Sequence, residues 1–227
     1  MRPMVAVMAD LPLILGFDTS AGHCAVALLS GERVVAAEHA AMTKGQAEAL
    51  MPMIQVVLSR AGVPLSDLSA IGVGIGPGNF TGVRISVSAA RGLALALGIP
   101  AVGISALEAL ALGCDGPVLC CVDARRDMIY AQIFNDPRAP GDPVLCELDA
   151  VPLPGPGTNA AVIGYAAQDL AKRIGGGARP PHYPQAEAIA RLAAARIHDR
   201  DLPPRPAPLY LRPADAAPAR DTGPVLL

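Results

Sequence analysis

Two stretches of this chain carry residue types that could do chemistry. The first is Asp18-Thr19-Ser20, which follows the apolar run Leu13–Phe17 and opens a tight turn through Ala21-Gly22. A carboxylate placed there can hold Mg²⁺ through water, while the hydroxyls and turn amides can meet a phosphate. The same carboxylate can equally satisfy the amides of its own turn. The second stretch is Gly72-Val-Gly-Ile-Gly-Pro-Gly-Asn-Phe-Thr-Gly-Val-Arg84. Its glycines let backbone amides converge, and the helix that follows favours an anion at its start. Asp18, Thr19, Ser20, Gly76, Gly78 and Thr81 together make a candidate phosphate site. Two familiar patterns are missing, however: Gly76-x-Gly78-x-x-Thr81 lacks the third glycine of the dinucleotide fingerprint, and no Lys-Ser/Thr completes a Walker loop. Read for packing alone, Gly72 and Gly74 permit close approach and Pro77-Gly78 makes a turn. That leaves Asn79 to Arg84 without an assignment.

Other chemistries find little support. The four histidines (His23, His39, His182, His198) form no H-x-x-x-H or H-E-x-x-H pair, so no catalytic or structural metal is expected. No G-x-S-x-G elbow marks a serine hydrolase. The five cysteines are odd in number and contain no C-x-x-C, which suits a reducing compartment better than a zinc or disulfide framework. Net charge is −2, aromatics are 3 % and Trp is absent. A protein that grips RNA alone usually has a basic face and stacking aromatics, so any RNA is expected to be held mainly by another subunit. No apolar run reaches the ~18 residues of a membrane helix, because Ser86, Ser88, Arg91, Gly92 and Gly98 interrupt the best candidate. Asp10 breaks the apolar residues of Met1–Leu11, no cleavage site follows, and a cytoplasmic location is expected.

The elements that must position these residues follow from periodicity. Leu13–Phe17, Cys24–Leu29 and Val34–Glu38 are short strands joined by tight turns, an antiparallel meander. The spacing then predicts a helix over Lys44–Ala61, with Pro52 implying a late start or a kink. A strand Ala70–Ile75, a helix Thr81–Leu97 closed by Gly98, and a strand Ala101–Ile104 come next. Ser105-Ala-Leu-Glu108 is a capping box that starts another helix. The order β-β-β-α-β-α-β-α gives a mixed sheet with helices packed on it. About 105 residues after the first, a similar device returns: Leu119–Asp123 is an apolar strand ending in Asp, followed by a turn and Met128–Phe134. We read this as an internal duplication. Beyond it, Pro and Gly crowd 152–157 and 175–184, and only Ala186–His198 has strong helical character. The expected organisation is a first lobe over 13–104, a smaller second lobe over 105–212, and a Pro-rich tail over 213–227.

The two long helices carry more apolar surface than one sheet needs. Leu50, Ile54, Val57 and Ala61 keep the period that packs on a sheet, yet Met51, Met53, Val56 and Leu58 remain. The Thr81–Leu97 helix has Arg84 and Arg91 as its only charges, and Ser88 and Gly92 would let another helix approach. The candidate partner face comprises Leu50, Met53, Ile54, Val57, Arg84, Val87, Ser88 and Arg91. Five or six large apolar residues, each contributing ~1.5–3 kcal/mol when buried, could support an interface of about 1,600 Å².

Several blocks resemble one family. Ile14-Leu-Gly-Phe-Asp-Thr-Ser20, Gly74-Ile-Gly-Pro-Gly-Asn-Phe-Thr-Gly-Val-Arg-Ile85, Leu93–Ser105, Val122-Asp-Ala-Arg125 and Pro208-Leu-Tyr-Leu-Arg212 are similar, in order, to the TsaB (YeaZ) family of Gcp-like proteins. Ile75, Asn79 and Gln46 stand where that family often has Arg, Ser and His. The resemblance implies an α/β ASKHA fold (actin-like ATPase, RNase H-like), with two lobes of mixed sheet and flanking helices, the second reduced. It implies a non-catalytic scaffold subunit that pairs with TsaD or with itself through the two helices, and that is joined by the ATPase TsaE. Threonylcarbamoyl would be transferred to the tRNA adenosine beside the anticodon, with tRNA met indirectly. No cofactor would be required, and the Asp18 region would be a vestigial phosphate site with room for weak nucleotide binding. A stand-alone ASKHA ATPase or phosphotransferase is the alternative, and a glycoprotease-like peptidase comes last.

Overall fold

The structure, a computed structural model, describes residues 11–135, 140–155, 158–197 and 204–212. The expected tail 213–227, the segment before Leu11 and His198 lie outside the described residues.

The first part of the chain folds in the expected order: β1 (Leu13–Asp18), β2 (His23–Ser30), β3 (Arg33–Ala41), α1 (Gln46–Ala61), β4 (Ala70–Gly74), α2 (Phe80–Leu97), β5 (Ala101–Ile104) and α3 (Ala106–Ala111). Local chemistry sets several of the boundaries. The Leu107 amide donates to Ser105 Oγ and the Ser105 amide to Glu108 Oε2, which is the capping box read from sequence. Gly98 ends α2 at φ 67°, a left-handed position where a side chain would be strained. Helix α1 runs unbroken through Pro52, starting at Gln46. Pro52 lies on the exposed side of the helix, so the carbonyl it leaves without an intrahelical donor can be met by solvent.

The strands form two sheets of five. The first has the order β3-β2-β1-β4-β5, with β1 antiparallel to β2 and parallel to β4. The second contains β6 (Val118–Asp123), β7 (Met128–Phe134), β8 (Val144–Glu147), β9 (Ala161–Gly164) and β10 (Gly177–Ala178). Read from one edge its order is β8-β7-β6-β9-β10, the first sheet repeated with the same pattern of antiparallel and parallel neighbours. The duplication inferred from one hairpin therefore extends to the whole sheet. The second lobe is reduced in strand length, with β8, β9 and β10 only 4, 4 and 2 residues long.

Burial follows the pleat of β1. Leu13, Leu15 and Phe17 face one side and pack with Leu50, Ile54 and Val57 of α1 and Ala90 of α2. Ile14 and Gly16 face the other side, which is covered by α5 (Gln185–Arg196) through Ile189, Ala190 and Ala193. A Cβ on Gly16 or Gly72 would collide with the α5 backbone or its alanines, so small residues on both partners let helix and sheet lie close. This corrects the assignment of all of 105–212 to the second lobe: its strongest helix closes the first sheet. The second sheet is packed by α3 and by α4 (Ala167–Ile174). Helix α4 was not foreseen, although Leu170, Ala171 and Ile174 share one face between charged neighbours.

Candidate functional site

At the end of β1, Asp18 is 1 % exposed and its carboxylate is already engaged. Oδ1 accepts from the Ser20 amide at 3.0 Å, and Oδ2 accepts from Ser20 Oγ at 2.9 Å. His23 Nε2 lies 3.0 Å from Oδ2. Thr19, fully buried, donates its hydroxyl to the Gly82 carbonyl at 2.7 Å, and the Asn79 amide donates to the Ser20 carbonyl. The glycine-rich block closes over this turn. Side chains on Gly74, Gly78 and Gly82 would collide with Asp18 Oδ1, the Ser20 carbonyl and the Thr19 carbonyl respectively. Asn79 caps α2 by accepting from the Gly82 amide at 2.9 Å, and Ser86 Oγ donates back to the Gly74 carbonyl.

Of the six residues grouped as a phosphate site, Asp18, Thr19, Ser20 and Gly78 are therefore brought together, Gly76 faces Val83 and Leu209 instead, and Thr81 is exposed on the first turn of α2. In the structure the Asp18 carboxylate is engaged by Ser20, and Gly74, Gly78 and Gly82 pack against this turn. The glycines read as an anion cradle are those that let strand β4 and helix α2 sit directly on the first hairpin.

The candidate partner face divides in two. Leu50, Ile54, Val57 and Val87 are 0–3 % exposed and pack inward. The correction has a plain cause: on a helix lying on a sheet, the residues that keep the 3.6 period are the ones the sheet consumes. Ser88 and Arg91 are exposed and Met53 is half-buried, as expected for an outer surface, whereas Arg84, also exposed, is drawn to the start of α2 against Phe80 and Tyr210. Beyond Phe80 at the start of α2, the large apolar residues of the two helices left exposed are Met51, Val56 and Leu95, the last 82 % exposed. By length and composition α2 could also cross a membrane, but here its Val83, Val87 and Ala90 side belongs to the buried core of the lobe.

A cleft of about 850 Å³ opens beside the start of α2, walled by that turn, the β6–β7 hairpin and the segment 209–212. Phe80 and Tyr210 stack with ring centroids 5.3 Å apart, and the Arg84 guanidinium lies 3.8 Å from the Phe80 centroid. Arg84 Nε donates to the Tyr210 hydroxyl at 2.8 Å. Residues 204–212 run back across both lobes: the Leu209 amide donates to the Ile75 carbonyl, and Arg212 donates to the Ala124 carbonyl. Phe80, Tyr210, Arg125, Arg126 and Arg212 were not among the site residues read from sequence. The only signal for them was that Phe80, Arg125, Tyr210 and Arg212 fall inside the blocks that carry the family resemblance.

The family model described as "TsaD: tRNA N6-adenosine threonylcarbamoyltransferase" matches residues 31–139. The TsaB protein of Escherichia coli, "tRNA threonylcarbamoyladenosine biosynthesis protein TsaB", is 38 % identical over 122 residues, 52 % of each chain. The match thus spans about half the length of that relative. An uncharacterised protein of Mycobacterium tuberculosis is 36 % identical over 189 residues, covering 83 % of this chain and 82 % of the other. The solved structure of YeaZ from Pseudomonas aeruginosa superposes with a TM-score of 0.73 at 28 % identity, covering 88 % of this chain and all of that one. This chain belongs to the TsaB (YeaZ) family.

The fold of this TsaB-family chain is the duplicated two-lobed ASKHA arrangement. The span shared with the TsaD model contains both helices, the glycine block and the second Asp hairpin. Among the described residues no three His, Cys, Asp or Glu side chains gather as a metal ion would require. Cys24, Cys120 and Cys121 are buried and behave as small core residues. Burial, and then the nearby Asp18 charge, push the Cys24 thiol up to about 11; burial, with Cys146 nearby, pushes Cys121 up to about 12. Such thiols stay protonated and unreactive near neutral pH.

Proposed function

We propose that this chain is the accessory, non-catalytic subunit of the machinery that transfers threonylcarbamoyl to the tRNA adenosine beside the anticodon. It acts in the cytoplasm by binding and activating TsaD, with TsaE joining the pair and no cofactor of its own. The single observation that carries this reading is the uncovered outer face of α1 and α2. Among the described residues the second lobe leaves it open and α5 occupies the opposite side of the sheet, so Met51, Val56 and Leu95 are exposed. A helical surface presenting Leu95 beside Ser88 and Gly92 suits a second helical pair, either TsaD or a second copy of this chain. The stand-alone ATPase reading draws less support, since Asp18 is buried and already paired.

Size-exclusion chromatography with light scattering tests the reading, on the chain alone and mixed with TsaD from the same organism. A homodimer that gives way to a mixed complex, with both lost in Leu95→Glu, is the expected result. A monomer that ignores TsaD would overturn it. So would tRNA modification by TsaD and TsaE that proceeds equally well without this chain.

A further inference from the structure

The cleft beside α2 has a composition the whole chain does not. The protein carries a net charge of −2 and 3 % aromatics. Yet Arg84, Arg125, Arg126 and Arg212 line this one opening, together with Phe80 and Tyr210. Among the described residues its only acidic lining residue is Asp123, whose Oδ1 is held by the Arg125 amide at 2.8 Å. The cleft therefore concentrates positive charge on an otherwise slightly acidic protein.

Arg125, Arg126 and Asp127 sit at φ 59°, 54° and 58°, three consecutive side-chain-bearing residues in the left-handed region. Each is a conformation L-residues avoid, and strain of this kind gathers where a loop must present side chains to a ligand. The matching turn of the first lobe has no such residues, and its Thr19 and Ser20 are buried against Gly78 and Gly82. The duplicated hairpins have thus diverged: the first is a packing joint, and the second is exposed and holds two arginines at the cleft.

We infer that this cleft holds an unpaired stretch of RNA, with a base stacked on the Phe80–Tyr210 platform and phosphates met by Arg125, Arg126 and Arg212. Three features favour a strand over a lone nucleotide. Phe80 is 56 % and Tyr210 48 % exposed, whereas a small-molecule site encloses its ring. The arginines come from three separate segments around the opening, so a chain can enter and leave. Stacking on aromatic and guanidinium faces with flanking basic groups is how single strands are gripped. The choice of RNA over DNA rests on the function proposed above. The cleft lies at the first turn of α2 and holds none of Met51, Val56 and Leu95, so this subunit would touch RNA directly while its partner is docked on the outer face of α1 and α2.

The test is fluorescence anisotropy of a labelled anticodon stem-loop RNA with the full chain, alone and with TsaD, across a salt series. Arg125→Asn/Arg126→Asn keeps residues that tolerate the left-handed turn while removing both charges. It should weaken binding at least about ten-fold and flatten the log K against log salt slope by about 1.4, roughly 0.7 for each lost phosphate contact. Tyr210→Ala should weaken binding about five-fold or more and leave the slope unchanged. Both variants should still form the complex with TsaD, so loss of RNA binding is read separately from loss of assembly. Equal RNA affinity and slope for wild type and both variants, with melting temperatures unchanged, would overturn the inference. Variants that lose ATP or a poly-glutamate peptide while holding RNA normally would overturn it as well.

Discussion

The carboxylate of Asp18 fills the volume that a side chain on Gly74 would need. The end of β1 and the end of β4 are thereby keyed to one another. Gly74→Ala should overpack this contact at a cost of about 1–3 kcal/mol. Asp18→Ala should cost a similar ~1–3 kcal/mol, because it strands the buried Ser20 amide. Removing the carboxylate makes room for the new methyl, so the double variant should be clearly less destabilised than the sum. Urea unfolding of the four proteins measures this, and strictly additive losses would show that the two residues do not meet.

Leu50 and Leu95 separate core from surface on the paired helices. Leu50, 1 % exposed, should lose about 2–5 kcal/mol as Leu50→Ala. Leu95, 82 % exposed, should change monomer stability by less than about 0.5 kcal/mol as Leu95→Ala. Denaturant midpoints at a concentration where the chain is monomeric decide the matter. A large loss at Leu95 would mean that part of the chain covers it.

The placement of α5 makes a prediction about fragments. A polypeptide ending at Ile104 keeps all five strands of the first sheet but leaves Ile14, Ala70, Val102 and Ile104 without the helix that buries them. Such a fragment should show no cooperative thermal transition and should bind a hydrophobic dye. A sharp transition with low dye binding would mean the first lobe folds without α5.

Thiol burial gives a pH dependence with a defined sign. Cys24 and Cys121 hold their protons in the folded state up to about 11 and about 12, against an ordinary thiol value of 9.0. Below pH 9 neither state releases these protons and the contribution to stability is complete. As pH climbs from 9 through 11 and 12 the unfolded chain ionises first, so stability falls. Cys24→Ala/Cys121→Ala should flatten the alkaline loss in a denaturation series, and an unchanged slope would assign that loss to other groups. In the native protein these two thiols should also resist alkylation at neutral pH.

The order of the first eight elements was legible because each has a local cause: the continuous apolar run of β1, the capping box at Ser105, the glycine after α2. The second sheet was legible only at its Asp123 hairpin. Its later strands, such as the two-residue β10, are too short to show a period. Helix α4 was legible in principle, but the Pro- and Gly-rich stretches around it masked its short apolar stripe.

The candidate site shows a sharper limit. Asp18, Thr19 and Ser20 have the residue types of a phosphate site, and nothing local distinguishes that role from a buried joint. What distinguishes them is that Gly74, Gly78 and Gly82, more than fifty residues away, have no side chains to keep the chain apart. By itself the sequence determined the family, the order of the first-lobe elements and the presence of two apolar helices, because motifs and periods are local properties of a chain. Only the tertiary structure decided which side of each helix the sheet consumes, that α5 closes the first lobe, and that four arginines meet across one cleft. Those outcomes depend on contacts between distant segments, and such contacts leave no period in the sequence.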